Sequence, residues 1–159
     1  MGYEVEFSPL QVLTFYNAVA NNGTMIKPII VKQIQSANKV TQTFSTEVIK
    51  DQICSEETLE KVRKLLEEVV EHGTATNIKN QYYKIAGKTG TSEKQKKNPN
   101  EPDSYYTSFV GYFPAENPKY SCIVTIDNPK GYQQFGSDVA APVFKEVADK
   151  IYAGDIEMH

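Results

Sequence analysis

The chain is short of the residues on which several chemistries depend. Among its 159 residues are two cysteines, two histidines and no tryptophan. Cys54 and Cys122 have neither the spacing of metal ligands nor the density of a disulfide framework, and no histidine and cysteine cluster points to a metal. Cys122 falls in an apolar run and reads as a small buried hydrophobe, while a Cys54–Cys122 bridge stays open. His72 stands at the end of a helical pattern, where it fits a dipole contact or plain surface; His159 is terminal. No apolar run approaches the ~18 residues that a membrane span needs. Neither a signal peptide nor a lipidation motif opens the chain, and "GYEVEF" directly after Met1 looks like the interior of a longer protein. The formal net charge of −3 argues against a general nucleic-acid binder. Positive charge is concentrated only at Lys94, Lys96 and Lys97, which read as solvated loop. Glu67, Glu68 and Glu71 read as a solvated helix face rather than an acid–base pair.

What is present is an ordinary globular composition, 40% apolar and 23% charged, in a length that suits one domain or part of one. Residues 9–21 read as a helix: Ser8 is a good N-cap, Pro9 suits the first helical position, and "NNG" ends the apolar face. "IIVKQIQ" (29–35) and "VTQTFS" (40–45), separated by polar "SANK", predict a hairpin. Ser55 caps a second helix whose Leu59, Val62, Leu65, Leu66, Val69 and Val70 recur at helical spacing to Glu71, with Gly73 as its stop. Then the period changes. Residues 82–92, 105–113 and 120–127 read as strands, the last two apolar nearly throughout, as in strands covered on both faces. A closing helix spans 137–154, with Ser137 or Asp138 as cap, Pro142 near its first turn, and Val139, Val143, Val147 and Ile151 on a shared face. The polar stretch 93–104 is expected to be a flexible loop. The fold class is α+β, an antiparallel sheet flanked by helices. The closing helix can cover only one sheet face, and the first helix only part of the other, so a sizeable apolar patch is expected.

"IAGKTGTSEKQKK" (85–97) carries the chemistry. Its Gly-Lys-Thr suggests a phosphate loop, but G-x-x-x-x-G-K-[ST] requires glycine where Tyr82 stands, and no helix follows. Lys88-Thr89-Gly90-Thr91 on a strand instead resembles the K-T-G box of penicillin-binding proteins and serine β-lactamases. The surroundings strengthen the likeness. "GYEVEFSPLQVLTFYNAVANNGTMIKPIIV" looks like the family's helix-opening segment, "GTATN" (73–77) its Gly-Thr-Ala element, and "TSFVGYFPAENPKYSCIVTIDNP" the strand pair after K-T-G in class B, high-molecular-weight members. "AAPVFKEVADKI" resembles the closing helix. The likeness covers almost the whole chain, and it identifies residues 1–159 with the C-terminal portion of a penicillin-binding, serine β-lactamase-like transpeptidase domain.

The resemblance implies that the nucleophile box S-x-x-K and the S-x-N box lie upstream. Ser36-Ala37-Asn38-Lys39 matches the first in letters, but it is a polar turn with no apolar helix behind it, so no nucleophile is expected in this chain. By resemblance, Lys88 reaches towards the S-x-N serine and supplies positive potential. The hydroxyls of Thr89 and Thr91 face the terminal carboxylate of a D-Ala-D-Ala stem peptide or a β-lactam, the Thr91 N–H joins the oxyanion hole, and Gly90 keeps the edge bare. Strand alternation puts Thr89 and Thr91 on one face and Lys88 on the other, so local twist is needed to gather them. The implied activity is peptidoglycan D,D-transpeptidation without cofactor or nucleic acid, in a parent anchored at the outer face of the cytoplasmic membrane within a cell-wall synthesis complex for division or elongation. A β-lactamase or carboxypeptidase, or a penicillin sensor without turnover, is the alternative on the same fold.

Overall fold

The computed structural model describes residues 6–94, 96, 98, 100, 102–131 and 134–157. Helix α1 (Pro9–Ala20) opens on a capping box: the Ser8 hydroxyl accepts from the Gln11 N–H, and Gln11 Oε1 accepts from the Ser8 N–H at 2.8 Å. Two short strand pairs follow. β1 (Met25–Ile26) pairs with β4 (Val48–Lys50), and β2 (Gln33–Ser36) forms the expected hairpin with β3 (Lys39–Thr43). Helix α2 (Glu56–Glu71) starts at Ser55, carries Glu56 and Glu57 in its first turn, where the helix dipole favours them, and buries Leu59, Leu66 and Val70. Gly73 lets the chain turn away tightly, since a Cβ there would stand 2.8 Å from the Val69 Cα. After a single 3-10 turn (Thr76–Ile78) come β5 (Ala86–Glu93), β6 (Tyr105–Phe113) and β7 (Tyr120–Asp127), an antiparallel sheet in that order, and then α3 (Gly136–Glu157).

The sheet separates two apolar clusters. On one face α3 brings Phe144 against Phe109 and Phe113, with ring centroids 4.8 and 5.7 Å apart, and Ile78, Tyr83 and Ile85 close the same cluster. On the other face α1 and α2 set Val19, Leu59 and Leu66 over Ala86 and Tyr112. Each large side chain fully buried in this way contributes ~1.5–3 kcal/mol, so the sheet is anchored from both sides. α2 thus joins α1 over the sheet face that was expected to stay partly bare. Exposed apolar area remains at Phe7, Leu10 and Phe15 near α1, at Leu65, and on the β2–β3 arm, where Ile30 is 96% exposed.

Three expectations need correction, and one open alternative, the cysteine bridge, is decided. β5 begins at Ala86 rather than residue 82. Tyr83 and Ile85 are buried from an irregular segment, held where Asn80 Oδ1 accepts from the Tyr82 N–H and Asp149 Oδ1 accepts from the Tyr83 hydroxyl, 2.8 and 2.7 Å. The side of α3 that meets the core is Ala140, Ala141, Phe144 and Ala148, leaving Val143, Val147 and Ile151 36–44% exposed, and Pro142 lies inside the helix rather than at its start. Cys54 and Cys122 are both free: Cys54 packs with the α1–α2 cluster and Cys122 with the α3 cluster, where burial pushes its thiol pKa up. The acidic α2 residues are paired rather than merely solvated, Glu67 with Lys84, Glu68 with His72 at 2.8 Å, and Glu71 with Lys79.

Candidate active site on an edge strand

β5 is an end strand of its sheet, bonded along β6 and, among the described residues, to no other strand. Its register runs without a shift from Ala86 opposite Tyr112 to Glu93 opposite Tyr105. With no bulge, alternation holds throughout: Gly87, Thr89 and Thr91 point to the α3 side, Ala86, Lys88 and Gly90 to the α1–α2 side. Glycine is required at Gly87 by close approach, since a Cβ there would lie 2.6 Å from the Val110 carbonyl oxygen. A Cβ on Gly90 would meet only Ser108 Oγ, at 2.6 Å, a hydroxyl that can rotate away.

Lys88 joins the threonines in spite of its position. Its Cβ starts on the far face, but the ammonium folds round the free edge and donates to the Thr89 carbonyl at 2.9 Å and to Thr89 Oγ1 at 3.3 Å. The length of the side chain does what backbone twist was expected to do. Two further groups come from distant segments. Thr74 Oγ1, in the turn after α2, lies 3.1 Å from Thr89 Oγ1, and the N–H of Gly136, which opens α3, donates to Thr91 Oγ1 at 3.1 Å. Neither role was read from the sequence. The "GTATN" string marked Thr74 as part of a recognisable element, whereas nothing local singled out Gly136.

Lys88 and Thr91 are exposed, and Thr89 and Gly90 half-buried, so an extended ligand laid along this edge meets a cation and two hydroxyls. An unpaired strand edge also offers main-chain donors and acceptors, the usual means of docking a peptide. These groups suit an anion on a peptide-like backbone. Among the described residues no group of three or more histidine, cysteine or acidic side chains is placed to hold a metal.

Other candidates lie elsewhere. Ser36 and Lys39 face each other across the two-residue turn of the β2–β3 hairpin, whose Ala37 and Asn38 have φ of 47° and 64°, and all four are exposed. That geometry puts the serine at an exposed turn with no buried helix behind it. Lys94 is paired with Asp127 and Lys96 with Asp103, while Lys97 and part of the expected loop 93–104 fall outside the described residues.

Proteins of one kind are similar to this chain in sequence and in fold. The chain is 38% identical over 143 residues to stage V sporulation protein D of Bacillus subtilis, covering 89% of this chain and 22% of that protein. It is 31% identical over 153 residues to the peptidoglycan D,D-transpeptidase FtsI of Buchnera aphidicola, covering 94% of this chain and 25% of that one. Among solved structures, the transpeptidase domain of penicillin-binding protein 3 from Burkholderia pseudomallei superposes with a TM-score of 0.71 at 30% identity, over 96% of this chain and 44% of that one. Penicillin-binding protein 3 from Mycobacterium tuberculosis gives 0.80 at 29% identity, over 97% and 36%. The family described as the penicillin-binding protein transpeptidase domain matches residues 1–149, and the chain belongs to it. The chain spans between 22% and 27% of the length of the first curated relatives it matches.

Proposed function

We propose that this chain is the C-terminal part of the transpeptidase domain of a class B penicillin-binding protein, and that the complete protein cross-links peptidoglycan stem peptides by serine acyl transfer. The observation that carries the reading is the gathering of the Lys88 ammonium with the hydroxyls of Thr89 and Thr91 along an open strand edge. In this reading the two hydroxyls and the ammonium hold the terminal carboxylate of D-Ala-D-Ala or of a β-lactam. The Thr91 N–H stabilises the oxyanion that forms at the scissile carbonyl. A serine from an upstream S-x-x-K box attacks that carbonyl after its lysine takes the proton. The terminal D-Ala leaves as a protonated amine, and an amine of a second stem peptide displaces the serine. The complete protein works at the outer face of the cytoplasmic membrane, anchored there within a cell-wall synthesis complex. Among the described residues of this chain, no helix is long and apolar enough to cross a membrane.

The test uses the complete protein with a stem-peptide donor and an amine acceptor, read by mass spectrometry. Release of D-Ala matched by cross-linked product, and depressed together in Thr91→Val and Lys88→Met, is the expected result. D-Ala release with water as the only acceptor would point instead to a carboxypeptidase.

A further inference from the structure

The first residue of α3 lies against the candidate site. Gly136 is buried, and its N–H donates to Thr91 Oγ1 at 3.1 Å. This approach depends on a missing side chain. A Cβ at Gly136 would stand 2.4 Å from the Ser108 carbonyl oxygen, 2.7 Å from that of Gly90 and 3.3 Å from the Gly90 nitrogen. All three are backbone atoms of the sheet, which cannot swing aside as a flexible side chain can. The helix begins at this point because the Phe135 carbonyl accepts from the N–H groups of Asp138 and Val139, at 2.9 and 3.2 Å. The Gly136 N–H is therefore one of the donors that a helix start leaves without an internal partner, and Thr91 uses it.

A hydroxyl has one proton and two lone pairs. Once an N–H occupies a lone pair, the proton is turned away from that donor, and on an exposed threonine it is turned towards whatever binds the edge. We infer that Gly136 is a positioning residue for carboxylate recognition: its N–H takes a lone pair of the Thr91 hydroxyl and leaves the hydroxyl proton aimed at the ligand's carboxylate. The inference rests on the reading of β5 as the carboxylate-binding strand. The effect is local hydrogen bonding rather than a helix field, because Asp138, its carboxylate held by the Ser137 hydroxyl at 3.3 Å, puts a negative charge in the same first turn.

The complete protein is assayed for its second-order acylation rate with benzylpenicillin and with benzylpenicillin methyl ester, which lacks the anion. The clash of the added Cβ acts on both substrates, so the readout is the acid-to-ester ratio of rates, which Gly136→Ala should lower roughly five- to tenfold, the worth of one hydrogen bond. Thr91→Val should lower the same acid-to-ester ratio. Adding Gly136→Ala to Thr91→Val should then change the ratio little further, because the hydroxyl through which Gly136 acts is gone. Equal losses on acid and ester, or ratio losses that multiply in the double variant, would mean that Gly136 only supports the fold, and the inference would fail. A ratio collapsed by Thr91→Val but untouched by Gly136→Ala also sinks the inference alone. A ratio untouched by Thr91→Val sinks the reading of β5, and the inference with it. Should Gly136→Ala not fold, amide exchange decides the matter. The Gly136 N–H should be protected in the wild type and exchange at least about tenfold faster in Thr91→Val, with the rest of α3 unchanged. Unchanged exchange at Gly136 overturns the inference.

Discussion

Lys88→Met removes the charge at the edge strand while keeping most of the side chain's length. The Lys88 ammonium stands 2.9 Å from the Thr89 carbonyl oxygen and 3.3 Å from Thr89 Oγ1. A carboxylate accepting from that hydroxyl sits one hydrogen bond further on, roughly 4–6 Å from the ammonium. At an effective dielectric constant of about 20 that separation is worth roughly 3–4 kcal/mol. Lys88 is exposed, and screening by water brings the interaction down to the ~1 kcal/mol at the top of the range for exposed pairs. Acylation by penicillin should therefore slow about fivefold in Lys88→Met. The assay is the second-order acylation rate of the complete protein with a fluorescent penicillin, followed at two ionic strengths. Added salt should slow the wild type and have less effect on the variant, since salt screens an exposed charge pair. Lys88→Arg keeps the charge and should keep the salt dependence, although a planar guanidinium cannot fold round the edge in the same way. A Lys88→Met rate within about twofold of wild type, with the same salt dependence, would place the ligand's carboxylate away from this ammonium and refute the electrostatic argument.

Three further outcomes follow from the structure. The 159-residue chain alone should not be acylated by penicillin, because Ser36 lies at an exposed hairpin turn; a covalent band on a denaturing gel that disappears in Ser36→Ala would contradict this. Burial acts to raise the pKa of Asp149, but hydrogen bonds from Lys145 and Tyr83 outweigh it and hold the carboxyl below its usual 3.8. The resulting stability is present above that pH and lost as pH falls through the lowered value. Asp149→Asn should thus cost about 1 kcal/mol in urea unfolding at neutral pH, a gap that closes on acidification, whereas a gap that persists at pH 2 would assign the loss to packing. The Tyr112 hydroxyl is buried against α1 and α2 with no hydrogen-bond partner among the described residues, and burial pushes its pKa up to about 12. Tyr112→Phe should accordingly leave stability unchanged or raise it by up to about 1 kcal/mol; a loss above that would reveal a partner for the hydroxyl.

Most of the architecture was legible because local signals agreed with one another. The Ser8 and Ser55 caps, the spacing of Leu59, Leu66 and Val70, and the apolar runs 105–113 and 120–127 each pointed to the element that formed. The errors arose where burial came without regular structure. Tyr83 and Ile85 read as strand because they are apolar, yet they are buried in the α3 cluster from outside the strand, with the Tyr83 hydroxyl held by Asp149, 66 residues away. The stripe of Val143, Val147 and Ile151 was legible as a shared face, but small residues on the neighbouring face let the helix approach the sheet, so Ala140, Ala141 and Ala148 lie inside.

The candidate site divides along the same line. Lys88, Thr89, Gly90 and Thr91 are consecutive, so a motif could find them. Thr74 and Gly136 reach the threonines from 15 and 45 residues away, and only the packing of α2 and α3 against β5 puts them there. Lys88 shows a different limit. Alternation along a strand fixes where a Cβ starts, and for valine or threonine that nearly fixes where the side chain acts. For lysine it does not, because the charged group lies four bonds beyond the Cβ and here turns round an edge that no strand among the described residues closes off. At an edge strand, therefore, opposite parity is no argument that a lysine and a threonine belong to different sites. On a central strand, where a paired neighbour blocks the way round, the same alternation would have separated them.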